Sequence, residues 1–258
     1  MEKSRWDRFW AKRKTEEIYP PVTDIVEELK RTTQISDKKI LEAGAGTGRD
    51  GIRLSEEGAD VYLLDYSWES LNLIREYLKR NTSNKKWKRI KLILADALNT
   101  PFKEGEFDIV FHQGLLEHFS KPDPLLKENY RILKEGGILL VDVPQTLHIY
   151  TILKQILIFL GIWFGDWERQ FTIESLTRLL KRYRFKLLHF YGDWSRPGVL
   201  YKILREVLKK FKIELPMYPK YLGKLTQQFY LWQRELRKKR LFLYTVLSIG
   251  VVARKVKF

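Results

Sequence analysis

The sequence contains no cysteine and only 4 histidines among its 258 residues. The absence of cysteine excludes disulfides, thiolate nucleophiles and zinc sites built on thiolates. With so few scattered histidines, no metal site is expected. A signal peptide is not expected either, because the first apolar residues, Trp6, Phe9 and Trp10, are interleaved with lysines and arginines. The composition therefore predicts a cytoplasmic protein.

Long uncharged apolar runs are also scarce. The strongest candidate, residues 146–165, is rich in Ile and Leu, but Lys154 and Gln155 lie at its centre. A membrane-spanning helix here would place strands of one sheet on opposite sides of a bilayer. We therefore expect no transmembrane span and assign the run to a cap over the active-site edge.

Acidic residues are too few to balance the basic ones, and the formal net charge is +16. The excess is local, since residues 195–240 carry 13 Lys or Arg against 3 Glu and are also rich in aromatic residues. This composition fits two interpretations, a packed cap with a solvated face or a true binding surface. A binding surface would suit an anionic membrane that the protein contacts peripherally, or, less well, a nucleic acid.

Strand-like and helix-like runs alternate through the first 145 residues, a pattern typical of a parallel sheet covered by helices. Strands are predicted at residues 39–43, 60–65, 90–95, 107–111 and 138–143. Helices are predicted at 21–31, 50–57, 68–80 and 121–133, the last closing at Gly136 and Gly137. Strands at 186–193 and 243–256 would complete the sheet, the second reaching its edge as an antiparallel partner of the first. The predicted fold is α/β, with a Rossmann-like, seven-stranded, mostly parallel sheet, helices on both faces and a helical cap.

A single domain over residues 1–258 accommodates these segments. Residues 36–145 form its cofactor-binding core, residues 146–170 and 195–240 its cap, and residues 185–194 and 243–257 its last strands. Residues 1–35 precede the core, and Trp6, Phe9 and Trp10 recur there at helical spacing. That stripe fits simple packing or a lid over the site, which would include Tyr19.

The sharpest motif is a glycine loop between the first strand and the next helix, with Gly44, Gly46 and Gly48. Glycines at the carboxyl end of a strand let the backbone pass close beneath a ligand. A dinucleotide fingerprint would require its third glycine at position 49, where this chain has Arg49. Glu42, just before the loop, disfavours a pyrophosphate and suits the cationic amino end of S-adenosylmethionine.

Two further acidic residues follow strand ends. Asp65 lies 21 residues after Gly44, an offset at which a carboxylate can accept hydrogen bonds from ribose hydroxyls. Asp96 follows the third predicted strand and is placed to accept from an adenine amino group, with Ala97 and Leu98 beside the ring. Both positions favour an adenine nucleoside ligand.

Residues 39–144, with this loop, these acids and the segment from Phe107 to Phe119, resemble the class I S-adenosylmethionine-dependent methyltransferases, particularly the small-molecule and quinone methylases. The resemblance implies S-adenosyl-L-methionine as cofactor and S-adenosyl-L-homocysteine as product, and it places Gln113 at the methionine end of the donor. It thins out beyond Pro144, where substrates are usually selected. The implied cofactor-binding residues are Glu42, Ala43, Gly44, Gly46, Gly48, Asp65, Tyr66, Asp96, Ala97, Leu98, Gln113 and Gly114.

Methyl transfer from a sulfonium depends mainly on positioning, and a base is needed only if the acceptor is protonated. The candidates for such a base are His112, His118 and His148. The apolar run after the fifth strand is expected to wall the pocket, which favours a small or lipophilic acceptor. RNA methylation is the alternative suggested by the basic segment, and a non-catalytic donor-binding or protein-interaction module is another.

Overall fold

The computed structural model describes residues 3–13, 24–81, 88–161, 168–194 and 239–257, with short pieces between 201 and 236. Seven strands form one sheet in the order β3-β2-β1-β4-β5-β7-β6. β7 is antiparallel to both of its neighbours, and the other pairs are parallel. The α/β fold is confirmed. The strands are β1 (Lys39–Ala43), β2 (Asp60–Asp65), β3 (Ile90–Leu94), β4 (Phe107–Gln113), β5 (Leu133–Pro144), β6 (Phe185–Asp193) and β7 (Ser248–Lys255).

Helices cover both faces of this sheet. Short 3-10 helices at Leu116–His118 and Arg240–Tyr244 follow β4 and precede β7, respectively. The α-helices are α1 (Lys3–Ala11), α2 (Asp24–Thr32), α3 (Arg49–Glu56), α4 (Trp68–Asn81), α5 (Asp123–Ile132), α6 (Ile149–Phe159) and α7 (Ile173–Arg182).

The core consists of two apolar layers, one on each face of the sheet. In β1, Leu41 joins the layer that includes residues of α5 and α7, whereas its neighbour Ile40 joins the layer that includes α2, α3 and α4. Successive side chains of a strand point to opposite faces, so a strand buried on both sides reads as a continuous apolar run. This is why the central strands can be predicted from the sequence.

The boundary between α5 and β5 differs from the prediction. The helix ends at Ile132, and Leu133 already has extended backbone angles, φ −73° and ψ 138°. Gly136, with φ +73°, lies inside the strand, near the shift in the β4–β5 register. The expectation that the helix reaches residue 133 and closes at the glycine pair is therefore wrong. The glycines provide an irregular strand start, where a Cβ on Gly137 would lie 2.8 Å from the Lys134 carbonyl oxygen.

The last strand is shorter than predicted and lies elsewhere in the sheet. The chain is a 3-10 helix at Arg240–Tyr244, and β7 begins only at Ser248. β7 is inserted between β5 and β6, so β6 and not β7 forms this edge of the sheet. Val251 and Val252 are both buried, on opposite faces, as expected for an interior strand.

Candidate functional site

A cavity of about 590 Å³ opens at the carboxyl ends of the parallel strands, where ligands of open α/β sheets bind. Of the residues expected to bind the cofactor, Ala43 and Gly48 lie outside its lining. Ala43 is buried in β1, and a Cβ on Gly48 would meet the core residues Leu63 and Ile74. The other predicted residues line the cavity: Glu42, Gly44, Gly46, Asp65, Tyr66, Asp96, Ala97, Leu98, Gln113 and Gly114.

The glycine loop requires left-handed backbone at Gly44, Gly46 and Gly48, with φ of 64°, 54° and 64°. Asp65, at the end of β2, holds this loop. Its Oδ2 accepts a hydrogen bond from the Gly46 N–H at 2.8 Å, and its Oδ1 accepts one from the Ser67 N–H at 2.9 Å. Burial raises the pKa of Asp65, although these N–H groups oppose the shift. Asp65 therefore shapes the loop as well as facing the cavity.

Charged side chains converge beside the loop. Glu42 is buried and accepts a hydrogen bond from the Gly51 N–H at 2.9 Å, and burial together with nearby Asp50 raises its pKa well above the usual value. Arg49 lines the cavity, where its Nε donates to Asp50 at 3.2 Å and its Nη2 donates to the Gln113 amide oxygen. Sequence reasoning used Arg49 only as an argument against a dinucleotide. The structure adds a cation that faces the same cavity as Glu42.

Acidic and apolar side chains meet after β3, in another part of the cavity. The exposed carboxyl group of Asp96 accepts a hydrogen bond from the Leu98 N–H at 2.9 Å through Oδ1, and Ala97 and Leu98 line the wall. Tyr66 lies alongside, and burial followed by the charge of Asp65 raises its pKa. The Asp96 carboxylate lines the cavity, and its second oxygen can accept a hydrogen bond from an amino group of a ligand.

Helix α1 lies over the cavity. Trp6, Phe9, Trp10 and Arg13 line it, and the Trp10 ring would lie 2.9 Å from a Cβ on Gly46. The helical spacing of Trp6, Phe9 and Trp10 puts their rings on one face of α1, and this face lies above the glycine loop. The helix contacts α4 and is also tied to the loop after β2, because the Ser67 hydroxyl donates to Asp7 at 2.6 Å. Tyr19 lies outside the described residues.

The three candidate histidines have different surroundings. His118 lines the cavity, and its ring packs edge-to-face on Trp6 with centroids 5.1 Å apart. His112 is fully buried beside Asn129, and burial lowers its pKa to about 3. His148 caps α6, its Nδ1 accepting a hydrogen bond from the Tyr150 N–H at 3.2 Å. Only His118 of these three therefore faces the cavity.

None of the described residues of the apolar run, 146–161, lines the cavity, so the expected wall is not found there. The apolar side chains of α6 point to solvent, with Ile149 75% and Phe159 89% exposed. The buried face is instead polar, and Lys154 lies 2.5 Å from the buried Glu168 carboxylate. The position of Lys154 in the sequence argued against a membrane span, and no helix among the described residues is long and apolar enough to be one. Nor do these residues contain a metal-binding cluster.

Residues 41–141 match a family model described as a methyltransferase domain. This match covers the glycine loop, both acidic strand ends and the segment around Gln113. The chain carries a class I S-adenosylmethionine-dependent methyltransferase domain. The cofactor and enzyme class expected from the sequence are confirmed for this domain.

Curated relatives agree with this assignment but differ in substrate. A demethylmenaquinone methyltransferase of Clavibacter sepedonicus is 31% identical over 107 residues, covering 42% of this chain and 41% of the relative. A ubiquinone biosynthesis O-methyltransferase of Pelagibacter ubique is 25% identical, covering 58% and 62%. The chain thus spans less than two thirds of the length of these relatives.

Solved structures extend the likeness of fold over nearly the whole chain. A phosphoethanolamine N-methyltransferase 2 of Haemonchus contortus, solved with S-adenosyl-L-methionine, has a TM-score of 0.62 at 19% identity and covers 93% of this chain and 54% of its own. The cyclase SpnF has the same TM-score at 17% identity, covering 91% and 82%. Proteins named for different reactions therefore share this fold, and the acceptor has to be argued from the site.

Proposed function

We propose that this protein transfers the methyl group of S-adenosylmethionine to a small or lipophilic acceptor. The observation that carries the proposal is the convergence of Glu42, Arg49, Asp65 and Asp96 on one cavity. These side chains offer complementary partners to each polar part of the donor. Bound there, the donor would supply an already activated sulfonium methyl group.

Each part of the donor has a partner in this proposal. Asp65 would accept hydrogen bonds from the ribose, and Asp96 would accept one from the adenine amino group. At the amino-acid end, Arg49 would bind the carboxylate and Glu42 would face the ammonium group. Burial of Glu42 favours its neutral form, and an approaching cation would return it to the charged form.

The acceptor side is lined by aromatic rings, His118 and the backbone after β4. Trp6, Phe9, Trp10 and Phe119 exclude water and offer flat apolar surfaces, which suit an aromatic or lipophilic acceptor. His118 is placed to receive a proton if the acceptor loses one, and positioning would account for the remaining catalysis.

Two measurements separate this proposal from its alternatives. Calorimetry tests binding of S-adenosylmethionine and S-adenosylhomocysteine, and transfer of labelled methyl groups tests turnover on quinols, phenols, small amines and RNA. We expect donor binding and labelling of an organic acceptor. Binding without turnover on any acceptor would support a non-catalytic module, and labelling of RNA alone would support the RNA alternative.

We also propose peripheral contact with an anionic membrane. Helix α6 turns an apolar face outward, and its exposed residues Ile152, Leu153 and Ile156, with Leu147 just before the helix, carry no charge. Such a surface favours a lipid interface, since exposed apolar area of this extent is unusual on a soluble face. It lies just after the carboxyl end of β5, close to the end of the sheet that bears the cavity.

The basic segment supplies the complementary charge. Trp194 precedes this segment and its indole Nε1 donates to Thr245 at 3.0 Å, while the Leu247 N–H donates to the Asp193 carbonyl at 2.7 Å. Both ends of the segment therefore meet where β6 ends and β7 begins. That is also the end of the sheet where β5 stops, because Pro144 and Asp193 both pair with Ser248. The individual lysines and arginines between Trp194 and Lys239 lie almost entirely outside the described residues.

Vesicle flotation tests this contact. Binding to phosphatidylglycerol-containing vesicles should weaken with salt, and neutral phosphatidylcholine vesicles should bind poorly. Replacing Ile156 by Glu should reduce binding several-fold, whereas Leu188→Glu, a matched change of an exposed residue on β6, should not. Transfer RNA is the competitor, and tighter salt-dependent binding to it would contradict the membrane proposal.

A further inference from the structure

A buried ion pair lies next to the turn that carries His118. The segment that follows α6 returns to the 3-10 helix containing His118, because the Arg169 N–H donates to the Glu117 carbonyl at 2.6 Å. The Arg169 guanidinium also donates to the Ser120 carbonyl at 2.8 Å. These two contacts bracket His118, so Glu168 is brought beside the same turn. Its buried carboxylate lies 2.5 Å from Lys154 of α6.

We infer that Glu168 is a positioning residue for His118, and that Lys154 of α6 opposes the effect of Glu168 on the imidazole. The inference rests on the proposed methyl transfer. In the reaction, a bond forms between the acceptor atom and the methyl carbon, while the bond from that carbon to sulfur breaks and leaves its electron pair on sulfur. The acceptor's proton moves to a ring nitrogen of His118. Glu168 stabilises the imidazolium that results.

The charges around His118 support this role. Burial lowers the pKa of His118, while Glu168 acts to raise it and Lys154 to lower it further. The charges of Glu168 and Lys154 also act on the pKa of Glu117 on the same turn, and the charge of Glu168 acts on the pKa of Tyr150 of α6. Trp6 of α1 closes the other side of the ring without adding charge. Lys154 and Glu168 thus bring opposite charges to this imidazole.

Histidine ring titration by NMR tests the coupling directly. The protein has 4 histidines, and His118→Asn assigns the signal of interest. We expect Glu168→Gln to lower the pKa of His118 by about one unit, and Lys154→Met to raise it by about one unit. The double variant should restore the parent value to within a few tenths. Opposite signs are the signature, because a merely structural role would shift both variants alike or not at all.

Two further variants serve as controls for the His118 titration. Glu57→Gln removes one partner of the exposed Lys30–Glu57 pair and should leave the His118 titration unchanged. If a neutral variant loses cooperative unfolding, Glu168→Asp replaces it, with a smaller shift of the same sign as Glu168→Gln. Unchanged titrations, or shifts of one sign, would overturn the inference.

The kinetic readout separates this inference from the proposed function. Glu168→Gln should lower kcat at least several-fold and move the acidic limb of its pH profile to lower pH, with the donor affinity unchanged. Opposite NMR shifts support the coupling between the pair and His118 whether or not an acceptor is found. Absence of turnover in the parent protein would count against the proposed methyl transfer alone.

Discussion

Buried carboxylates on the two sides of the cavity differ in their hydrogen bonds. On the donor wall, the Asp65 carboxylate accepts backbone N–H bonds from Gly46 and Ser67, and the Glu42 carboxylate accepts one from Gly51 of α3. On the turn that carries His118, Glu117 Oε2 is buried with no hydrogen-bond partner in the part of the chain that the structure describes, as are Asp50 Oδ1 and Tyr66 Oη on the donor side. The difference therefore lies in the carboxylates, because those of Glu42 and Asp65 hold backbone N–H groups in place, whereas Glu117 Oε2 holds none among the described residues.

The donor wall is built from residues that lie close together in the sequence, whereas the group around Glu117 is assembled from distant parts of the sequence. Asp65 and the glycine loop lie within one β-α-β unit, so their mutual contacts are set by nearby sequence. Glu117, Lys154 and Glu168 come together only because the segment after α6 folds back. Buried polar groups without partners are costly, and they are retained mainly where function uses them.

The largest expected effect is on the pH dependence of stability, through Glu117. Burial raises the pKa of Glu117 to about 8, above its unfolded value near 4.5. Between these pH values the Glu117 side chain carries a proton in the folded protein that it has lost in the unfolded chain. Its contribution to the free energy of unfolding should therefore fall by up to about 1.4 kcal/mol per pH unit as the pH rises from 5 to 8. Glu117→Gln should flatten this slope, as measured by urea unfolding.

A matched carboxylate provides the control for this slope. Glu128 is also buried by surface area, but hydrogen bonds from Arg131 and Thr100 lower its pKa despite the cost of burial. It is ionised in both folded and unfolded chains between pH 5 and 8. Glu128→Gln should therefore lower stability by a similar amount throughout this range. An equal change of slope in both variants would contradict the distinction between these carboxylates.

The donor wall and the sheet were predictable because each rests on local pattern. The glycine spacing, Asp65 and the buried strand runs each specify backbone within a few residues. What the sequence did not reveal was the orientation of α6. Its apolar residues suggested a buried wall, but most of them are exposed, and Lys154 of this helix instead forms a buried pair with Glu168. A long-range ion pair of this kind leaves no periodic signal.

The next largest effect is expected at Asp65. Replacement by Ala should weaken donor binding at least about tenfold, since charge-assisted hydrogen bonds contribute about 1.5–3 kcal/mol each at most. The same change leaves the buried Gly46 and Ser67 N–H groups without their acceptor, so stability should fall as well. Calorimetry measures the loss of donor affinity, and thermal unfolding measures the loss of stability.

Asp65→Asn separates them further. The amide retains one oxygen that can accept a backbone N–H, but it loses the charge and the second acceptor. We expect it to unfold closer to the parent protein than Asp65→Ala while still binding the donor poorly. Parent-like donor affinity in both variants would contradict the proposed ribose contact.

The smallest of the three effects is expected at Gly46. An Ala at φ +54° costs about 1–2 kcal/mol of backbone strain, and its Cβ would lie 2.9 Å from Trp10 on α1. The steric conflict falls on the helix above the cavity and not on the core. Gly46→Ala should therefore weaken donor binding about tenfold, measured by calorimetry, with the protein still folded.

Gly48→Ala is the matched change at the other end of the loop. It meets the same strain at φ +64°, but its Cβ would press on Leu63 and Ile74 in the core at 2.8 and 3.0 Å. We expect it to lower the unfolding temperature more than Gly46→Ala does, because a packed core cannot yield as a covering helix can. Trp10→Ala in the Gly46→Ala background should restore part of the donor affinity by removing the ring. If relief of this clash leaves affinity unchanged, the defect lies in the loop backbone itself, and α1 has no part in holding the donor.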